Sequence, residues 1–314
     1  MTELSGKKVF VAGHRGMVGS AIVRRLEREE CEIVTAGRDV LDLRDQTAVH
    51  CWFAETRPDH VYLAAAKVGG ILANDSYPAS FLYENLIIET NVINAAHEAE
   101  VEKLLFLGSS CIYPKFAPQP ITEDQLLAGP LEPTNEWYGV AKIAGIKLAQ
   151  AYRRQHGRDF ISAMPTNLYG PGDIYDPQAS HVLPAMIRKA HRVKTGEADT
   201  FEIWGSGEPR REFLHADDCA DACVFLMKSY SGESHVNVGS GTDISINELA
   251  RLVCKVVGVD PEFVHDRSKP DGTPRKLMSG EKLKSLGWTP SIPLEEGIRG
   301  TYEMLIKEGR LDRA

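Results

Sequence analysis

The stretch Gly13-His14-Arg15-Gly16-Met17-Val18-Gly19 decides the fold of this 314-residue chain. It follows the apolar run Val9 to Ala12, which predicts a strand, and it opens into Met17 to Glu29, which predicts a helix. Glycines at these positions let the backbone turn tightly and approach a pyrophosphate, whose charge is favoured at a helix N-terminus. A tight turn without a ligand would use the same glycines. The position between strand and helix favours the dinucleotide-binding interpretation.

Segments of strand-like and helix-like sequence alternate through the first half of the chain, which is the pattern of a parallel α/β sheet. Further strands are predicted at four apolar runs: Glu32 to Thr35, His60 to Ala64, Lys103 to Leu107 and Phe160 to Ala163. The periodic segments Ser80 to Glu98 and Asn135 to Gln155 suit long helices, the first as a crossover between strands. We therefore predict a Rossmann-type, doubly wound parallel sheet.

The character of the sequence changes after Pro171, where glycines and prolines interrupt longer loops. This change predicts a smaller C-terminal α/β lobe that binds substrate and shares strands with the first domain. The predicted dinucleotide-binding domain comprises residues 1–172 and about 213–242. The predicted substrate lobe comprises residues from about 173–212 together with 243–314.

Composition and charge narrow the functional class. Hydrophobic residues make up 43% and charged residues 25% of the chain, which is typical of a soluble globular protein. The formal net charge of −8 argues against binding to nucleic acid or an anionic membrane, so an anionic ligand needs a local cluster of cations. The N-terminal apolar run is too short for a signal peptide, and no apolar stretch is long enough to span a membrane. We expect a cytoplasmic protein.

The six cysteines show no paired CxxC spacing, so no metal site is predicted. Free thiols in a reducing cytosol are their expected state. Only Cys111 stands in a context that suggests a further role.

The end of the second predicted strand bears on the choice of dinucleotide. Enzymes that use NAD usually place an acidic side chain there for the ribose hydroxyls, whereas users of NADP place an arginine near the 2′-phosphate. Here the strand ends in Thr35-Ala36-Gly37-Arg38, and Arg15 of the glycine loop can reach the same pocket. Two guanidinium groups suit a dianionic phosphate, although both could be solvated surface arginines, and Asp39 stands beside them. We predict NADP(H) as the cofactor.

The segment Tyr138-Gly139-Val140-Ala141-Lys142 places a phenol and an ammonium on one face of a predicted helix. A free phenol titrates near ~10, and both the ammonium and an oxidised nicotinamide would favour the phenolate. This spacing also occurs by chance as a surface pair. A catalytic interpretation is favoured because Leu107-Gly108-Ser109 lies upstream, at the carboxyl end of a predicted strand. Doubly wound sheets bind their ligands at this edge. Ser109, Tyr138 and Lys142 are therefore the predicted catalytic residues.

The glycine loop, a serine at a strand end and Tyr-x-x-x-Lys, in this order, resemble the extended short-chain dehydrogenase/reductase family. The resemblance covers essentially the whole chain and includes Leu63 to Ala66, Pro165 to Pro171 and Phe213 to Asp218. It implies an NADP(H)-dependent reaction of a nucleotide-activated sugar. The cofactor contacts that it implies, besides the glycine loop and Arg38, are Leu107, Gly108, Lys142, Pro165, Asn167, Leu168 and His181.

Longer segments are similar to those members of the family that epimerise and reduce a GDP-4-keto-6-deoxy sugar, which implies a GDP-sugar substrate. They are Ala66 to Ile71, Gly108 to Lys115, Glu132 to Asn135, Trp204 to His215 and Lys269 to Lys276. A ketone at C4 acidifies the hydrogens on C3 and C5, so both carbons can be inverted before a hydride reaches C4. Ser109 and Tyr138 would hold the ketone oxygen, with Tyr138 giving the proton and Lys142 sustaining its acidity.

The resemblance also implies that Cys111 and His181 form the acid/base pair of the epimerisation. Thiols and imidazoles both titrate within reach of neutral pH. Cys111 could instead be a small packing residue, and His181 could cap a helix or lie in the core. The substrate contacts implied by the family pattern are Lys189, Trp204, Arg211 and Asp271. The family often has arginine at the position of Lys189, and lysine keeps the charge but loses the planar fork.

Several alternatives remain open. Trp204 could belong to the core and Arg211 to a surface ion pair. A 4-epimerase would prefer an acidic residue in place of Arg38, and a dehydratase of this group carries Asp-Glu where this chain has Ser110-Cys111. A non-catalytic NADP-binding protein would not need the catalytic trio. Relatives commonly pair through the two long helices, which implies a homodimer, although apolar faces there also suit core packing.

Overall fold

The computed structural model describes residues 2–175, 180–269 and 271–311. The strands of these ranges are β1 (Lys8–Ala12), β2 (Glu32–Val34), β3 (His60–Leu63), β4 (Lys103–Leu107), β5 (Asp159–Pro165), β6 (Asn167–Tyr169), β7 (Thr200–Trp204), β8 (Arg210–His215), β9 (Val236–Val238), β10 (Asp243–Ser245), β11 (Glu262–Asp266) and β12 (Arg275–Lys276). Their helices are α1 (Met17–Leu26), α2 (Gln46–Thr56), α3 (Ile71–Ser76), α4 (Pro78–Glu98), α5 (Glu136–His156), α6 (Val182–Lys194), α7 (Ala216–Ser229), α8 (Ile246–Val257), α9 (Glu281–Ser285) and α10 (Leu294–Lys307).

A six-stranded parallel sheet in the order β2-β1-β3-β4-β5-β9 forms the centre of the larger unit. Successive side chains of β1 point to opposite faces, so Val9 and Val11 pack with α1 and α7, whereas Phe10 packs with α2, α4 and α5. Strand β4 is buried at every position, as parallel strands covered on both faces are. The predicted Rossmann-type, doubly wound sheet is confirmed.

The element boundaries differ from the predicted ones by a few residues. Helix α1 ends at Leu26 rather than Glu29, and the chain then reverses through Glu30, whose φ of 52° lies in the left-handed region. Helix α4 begins at Pro78 rather than Ser80, because proline at the first helical position has the φ that the helix needs and loses no hydrogen bond there.

A second, smaller group of elements follows the central sheet. Strand β8 pairs with β6, β10 and β12, strand β7 pairs with β11, and α6, α8 and α10 share a separate hydrophobic core. Strand β8 leads directly into α7, which packs on α1 of the larger unit. The chain thus passes from one group of elements to the other at this point, and the division into two domains stays a prediction. Pro270 of the predicted polar stretch and residues 176–179 lie outside the described residues.

The glycine loop depends on the absence of side chains. A Cβ at Gly19 would overlap the carbonyl oxygen of Gly13, and a Cβ at Gly13, whose φ is 89°, would lie 2.7 Å from the backbone nitrogen of Ala65. The loop can therefore lie this close to α1 and to the end of β3 only with glycine at both positions.

We expect Gly19→Ala to displace this loop and to lower the free energy of unfolding by about 2 kcal/mol, as overpacking of a tight contact does. Urea unfolding measures the change. The control is Gly300→Ala in α10, where an added Cβ meets nothing within 4 Å. The control should be neutral or stabilising by up to ~1 kcal/mol. Equal stability of the Gly19 variant and the wild type would contradict the steric argument.

Candidate functional site

The glycine loop connects β1 to the N-terminus of α1 and presents backbone N–H groups there. Gly16 is the N-cap of α1, and no side chain caps this end of the helix. The Gly16 N–H donates to the Gly13 carbonyl oxygen at 3.0 Å, which closes the turn. Nδ1 of His14 is buried without a hydrogen-bond partner, and burial lowers the pKa of this imidazole. A tight loop, an uncapped helix end and an unpaired polar atom fit the pyrophosphate of a dinucleotide.

Both predicted phosphate arginines stand exposed near the end of β2. Arg15 lies 3.4 Å from a carboxylate oxygen of Asp39, and Arg38 lies 3.6 Å from one of Asp42. The side chains of Arg15 and Arg38 are 70% and 66% exposed, so these ion pairs are weak and easily exchanged. Because both pairs are exposed and weak, either guanidinium group can exchange its carboxylate for a phosphate.

Ser109 and Tyr138 meet where β4 ends. Ser109 caps a short 3-10 turn, accepting a hydrogen bond from the Cys111 N–H at 3.3 Å, and its hydroxyl lies close enough to the phenol of Tyr138 to lower the pKa of that phenol. Burial raises the pKa of Tyr138 well above its usual value, with further contributions from Cys111 and Glu89, whereas the Ser109 hydroxyl opposes the increase. This arrangement can hold a carbonyl oxygen between two hydroxyl groups.

Lys142 lies one helical turn after Tyr138 and is buried. Its Nζ lies 5.8 Å from the centroid of the Tyr138 ring and 4.7 Å from that of Phe106. The partner of this ammonium is Glu89 of α4, with 2.8 Å between Nζ and Oε1. Sequence reasoning missed Glu89. Its signal was a carboxylate at four-residue spacing from Phe81 and Asn85, which places it on the buried face of α4.

Cys111 also has two neighbours that sequence reasoning missed. Asn135 Nδ2 donates to its Sγ at 3.3 Å, and Lys276 Nζ donates to the same sulfur at 3.9 Å. Lys276 belongs to β12, so a residue of the smaller group of elements reaches the thiol. Both residues stood inside the matched segments, but nothing in the sequence linked them to the thiol. The contacts favour a functional thiol over a packing residue.

His181 is the N-cap residue of α6, although its side chain makes no capping hydrogen bond. The ring is exposed to solvent, and the protein atoms that surround it lower the pKa of the imidazole by partial desolvation. No hydrogen bond between described residues joins His181 to Cys111, and residues 176–179 of the preceding loop lie outside the described residues. The pairing of His181 with Cys111 therefore stays a prediction.

The predicted substrate residues Trp204 and Lys189 lie together on the smaller group of elements. Trp204 is 50% exposed, which excludes the core alternative, and its indole N–H donates to Glu202 at 2.9 Å. Lys189 pairs with Glu202 at 3.2 Å. The ammonium groups of Lys189 and Lys269 lie 5.5 and 5.3 Å from the indole ring centroid. An exposed indole between two cations suits a polar, anionic ligand.

Arg211 lies in β8, and Asp271 lies in the loop before β12. Arg211 donates to the Arg210 carbonyl oxygen at 2.8 Å, and burial lowers its pKa against the attraction of nearby carboxylates. Asp271 accepts bonds from the N–H and hydroxyl of Ser206 at 2.7 and 2.9 Å, and these bonds hold the pKa of its carboxyl below the usual value. Asp271 thus fixes the turn that follows Trp204.

The other predicted cofactor residues lie at the carboxyl ends of β4 and β5. Gly108 donates its N–H to Ala163 at 2.9 Å, and Pro165 is the last residue of β5. Asn167 donates to the Glu212 carbonyl oxygen at 2.8 Å. Leu107 and Leu168 belong to the core between the central sheet and α7.

The described residues were searched for metal-binding clusters and for membrane-spanning helices. They contain no group of three or more His, Cys, Asp or Glu side chains placed to hold a metal ion. None of their helices combines the length and apolar character that crossing a membrane requires.

The chain is similar to known proteins over nearly its whole length. A sequence model of the NAD dependent epimerase/dehydratase family matches residues 9–239. The chain is 60% identical to the GDP-L-fucose synthase of Sinorhizobium fredii over 306 residues, which is 98% of each protein. It is 54% identical to the GDP-L-fucose synthase of Escherichia coli over 314 residues, covering 97% of this chain and 98% of that protein. The NADP-bound GDP-L-fucose synthetase of Naegleria fowleri has a similar structure, with a TM-score of 0.89, 28% identity, and coverage of 99% and 97%.

We expect Arg15→Ala and Arg38→Ala each to weaken binding of NADPH about tenfold, or ~1.4 kcal/mol, and to leave binding of NADH nearly unchanged. The reason is that each variant removes one charge from the pair that can meet a 2′-phosphate. Fluorescence titration with both dinucleotides measures the ratio. Arg28→Ala, an exposed arginine just after α1, is the control. Equal losses for NADPH and NADH would contradict the assignment.

Proposed function

Because the chain belongs to the NAD dependent epimerase/dehydratase family, we propose that it converts GDP-4-keto-6-deoxy-D-mannose to GDP-L-fucose. The reaction comprises 3,5-epimerisation followed by NADPH-dependent reduction of the C4 ketone. The observation that carries this proposal is the placement of the Ser109 hydroxyl near the phenol of Tyr138, with the thiol of Cys111 beside them. Two hydroxyl groups for one ketone oxygen, next to a proton-transfer group, are what both half-reactions need.

NADP(H) is the cofactor, and when bound it supplies the hydride for C4. The uncapped N-terminus of α1 and the unpaired Nδ1 of His14 fit its pyrophosphate. Arg15 and Arg38 fit the 2′-phosphate, which distinguishes NADP from NAD. The bound NADP of the related Naegleria structure supports the same choice.

In the epimerisation, Ser109 and Tyr138 hold the C4 oxygen while negative charge develops on it. Cys111 and His181 then remove the protons at C3 and C5 and return them on the opposite faces. Asn135 and Lys276 orient the thiol toward the substrate from two sides.

In the reduction, Tyr138 gives its proton to the C4 oxygen as the carbon receives the hydride. Ser109 keeps its hydrogen bond to that oxygen throughout, and Lys142 sustains the acidity of the phenol from the same helical face. The same two hydroxyl groups thus serve both reactions, and the sugar need not leave the site between them.

The nucleotide part of the substrate would lie on the smaller group of elements. Arg211 and Lys189 supply cations for the diphosphate, and Trp204 offers an exposed ring face. Asp271 acts through the turn that it fixes. These assignments rest on the resemblance and on the exposure of Trp204.

The alternative on the same fold is a nucleotide-sugar 4-epimerase or 4,6-dehydratase. Elimination is disfavoured because Ser110-Cys111 replaces the Asp-Glu pair of dehydratases. A 4-epimerase returns its hydride to the substrate, so it would consume no NADPH. Stoichiometric NADPH oxidation therefore separates the proposed reaction from this alternative.

We further propose that the enzyme works in the cytoplasm as a homodimer that pairs through α4 and α5. These helices pack side by side and expose Tyr83 and Val140 to solvent. Exposed apolar side chains on adjacent long helices suit a symmetric contact between two copies.

We expect Tyr138→Phe to lower NADPH-dependent reduction by about 10²-fold or more, since the proton donor is lost. Cys111→Ser should instead abolish most solvent-deuterium incorporation at C3 and C5 of GDP-4-keto-6-deoxymannose. NADPH absorbance and proton NMR measure the two steps separately. A cysteine variant that exchanges deuterium at the wild-type rate would refute the role of the thiol.

We expect Val140→Glu to convert a dimer into a monomer, because a charge would be buried in the contact. Light scattering after gel filtration gives the mass of each species. The control is Ile306→Glu, an exposed apolar residue of α10. A wild type that is monomeric at micromolar concentration would overturn the homodimer.

A further inference from the structure

A buried ion pair lies directly behind the catalytic tyrosine. The side chains of Glu89 and Lys142 are 1% and 2% exposed, and 2.8 Å separates their charged atoms. Lys142 is the only partner of this carboxylate among the described residues, since no other donor forms a hydrogen bond with either of its oxygens. Burying two charges is costly, and one contact repays little of that cost. Because the Glu89–Lys142 pair contributes little to the free energy of folding, we looked for a function of the pair.

The surrounding packing makes room for this carboxylate. A Cβ at Gly145 of α5 would lie 2.8 Å from Oε2 of Glu89 and would also overlap the ring of Phe106. Phe106 in turn lies under the ammonium of Lys142. Glycine at position 145 therefore lets α4 and α5 approach closely enough for the carboxylate to reach the lysine. Glu89, Phe106 and the close approach of α5 at Gly145 together define where the ammonium of Lys142 lies.

We propose that Glu89 is a positioning residue that holds the ammonium of Lys142 in place and offsets its charge at the phenol of Tyr138. The consequence is that the tyrosine enters the reaction as a proton donor, which ketone reduction requires. An enzyme that oxidised an alcohol would need the phenolate instead. The inference rests on the proposed function, because it assigns the direction of that reaction to a particular charge.

The charges that act on Tyr138 agree with this direction. The groups that face the phenol are Ser109 at the end of β4, Cys111 in the 3-10 turn, Lys142 on its own helix and Glu89 on α4. Burial, Cys111 and Glu89 all raise the pKa of the phenol, and the Ser109 hydroxyl lowers it. Replacing Glu89 by a neutral residue removes one of the contributions that raise this pKa. The phenol should then lose its proton at lower pH.

The test is the pH profile of NADPH-dependent reduction in Glu89→Gln, which keeps the shape of the side chain and removes its charge. We expect the alkaline limb of kcat/KM to move to lower pH by about one unit. The control is Glu98→Gln, an exposed carboxylate on the same helix that pairs with His50. Its profile should match that of the wild type. An unmoved limb in Glu89→Gln, with activity lowered equally at every pH, would reduce Glu89 to a structural residue and overturn the proposal.

Glu89→Asp provides a second test if the glutamine variant does not fold. Its carboxylate is withdrawn by one methylene group, so the alkaline limb should move in the same direction by a smaller amount. A limb that stays at the wild-type position in a folded Glu89→Asp variant would also contradict the proposal.

A direct titration separates this inference from the proposed function. The ultraviolet difference spectrum between each protein and its Tyr138→Phe counterpart reports ionisation of this phenol without any substrate. We expect the Glu89→Gln pair to ionise at lower pH than the wild-type pair. If the wild type fails to turn over the GDP-sugar but this shift is seen, the proposed function is wrong and the role of Glu89 stands. Coincident titrations would refute the role of Glu89 whatever the substrate.

Discussion

The close approach of the Ser109 hydroxyl to the phenol of Tyr138 brings together two parts of the molecule that are distant in the sequence. Ser109 is held by the end of a fully buried parallel strand and by the 3-10 turn that it caps. Tyr138 is held by the first turn of α5, which packs closely on α4. Packed secondary structure on both sides limits how far the two hydroxyl groups can separate. A ketone oxygen bound between them meets a preorganised pair of donors.

The charges around Ser109 and Tyr138 affect the pKa of the phenol. Tyr138 is half-buried, and a carboxylate on α4 lies against the ammonium on α5. A tyrosine in these surroundings keeps its proton until the reaction removes it. The thiol of Cys111 accepts hydrogen bonds from the side-chain amide of Asn135, which precedes α5, and from Lys276 of β12. The pairing of β12 with β8 also places Lys276 opposite Arg211, so one strand pair links the thiol to the region proposed for the diphosphate.

Much of this organisation could be predicted from the sequence, for physical reasons that particular residues illustrate. Strand β4 was predicted at its observed limits because a strand buried on both faces is apolar throughout. The spacing of Tyr138 and Lys142 predicted a shared helical face, since helical geometry is local. The end of α1 and the start of α4 were misplaced by two or three residues, because turns and proline preferences compete with periodicity at helix ends.

The partners of the catalytic groups could not be predicted in the same way. Glu89, Asn135 and Lys276 reach their targets through helix packing and strand pairing, which no local pattern encodes. His181 was named from resemblance, and in the structure it is exposed, with no hydrogen bond to Cys111 among the described residues. The role proposed for His181 therefore rests on the resemblance, whereas the roles proposed for Ser109 and Tyr138 also rest on the observed geometry.

Isotope tracing in the product tests the central claim most directly. GDP-4-keto-6-deoxymannose is incubated with NADPH in deuterium oxide, and separately with NADPH deuterated at the transferred position in ordinary water. The account predicts solvent deuterium at C3 and C5 in the first reaction, and cofactor deuterium at C4 alone in the second. Cofactor deuterium that never reaches C4, or solvent deuterium that appears there instead, would contradict it.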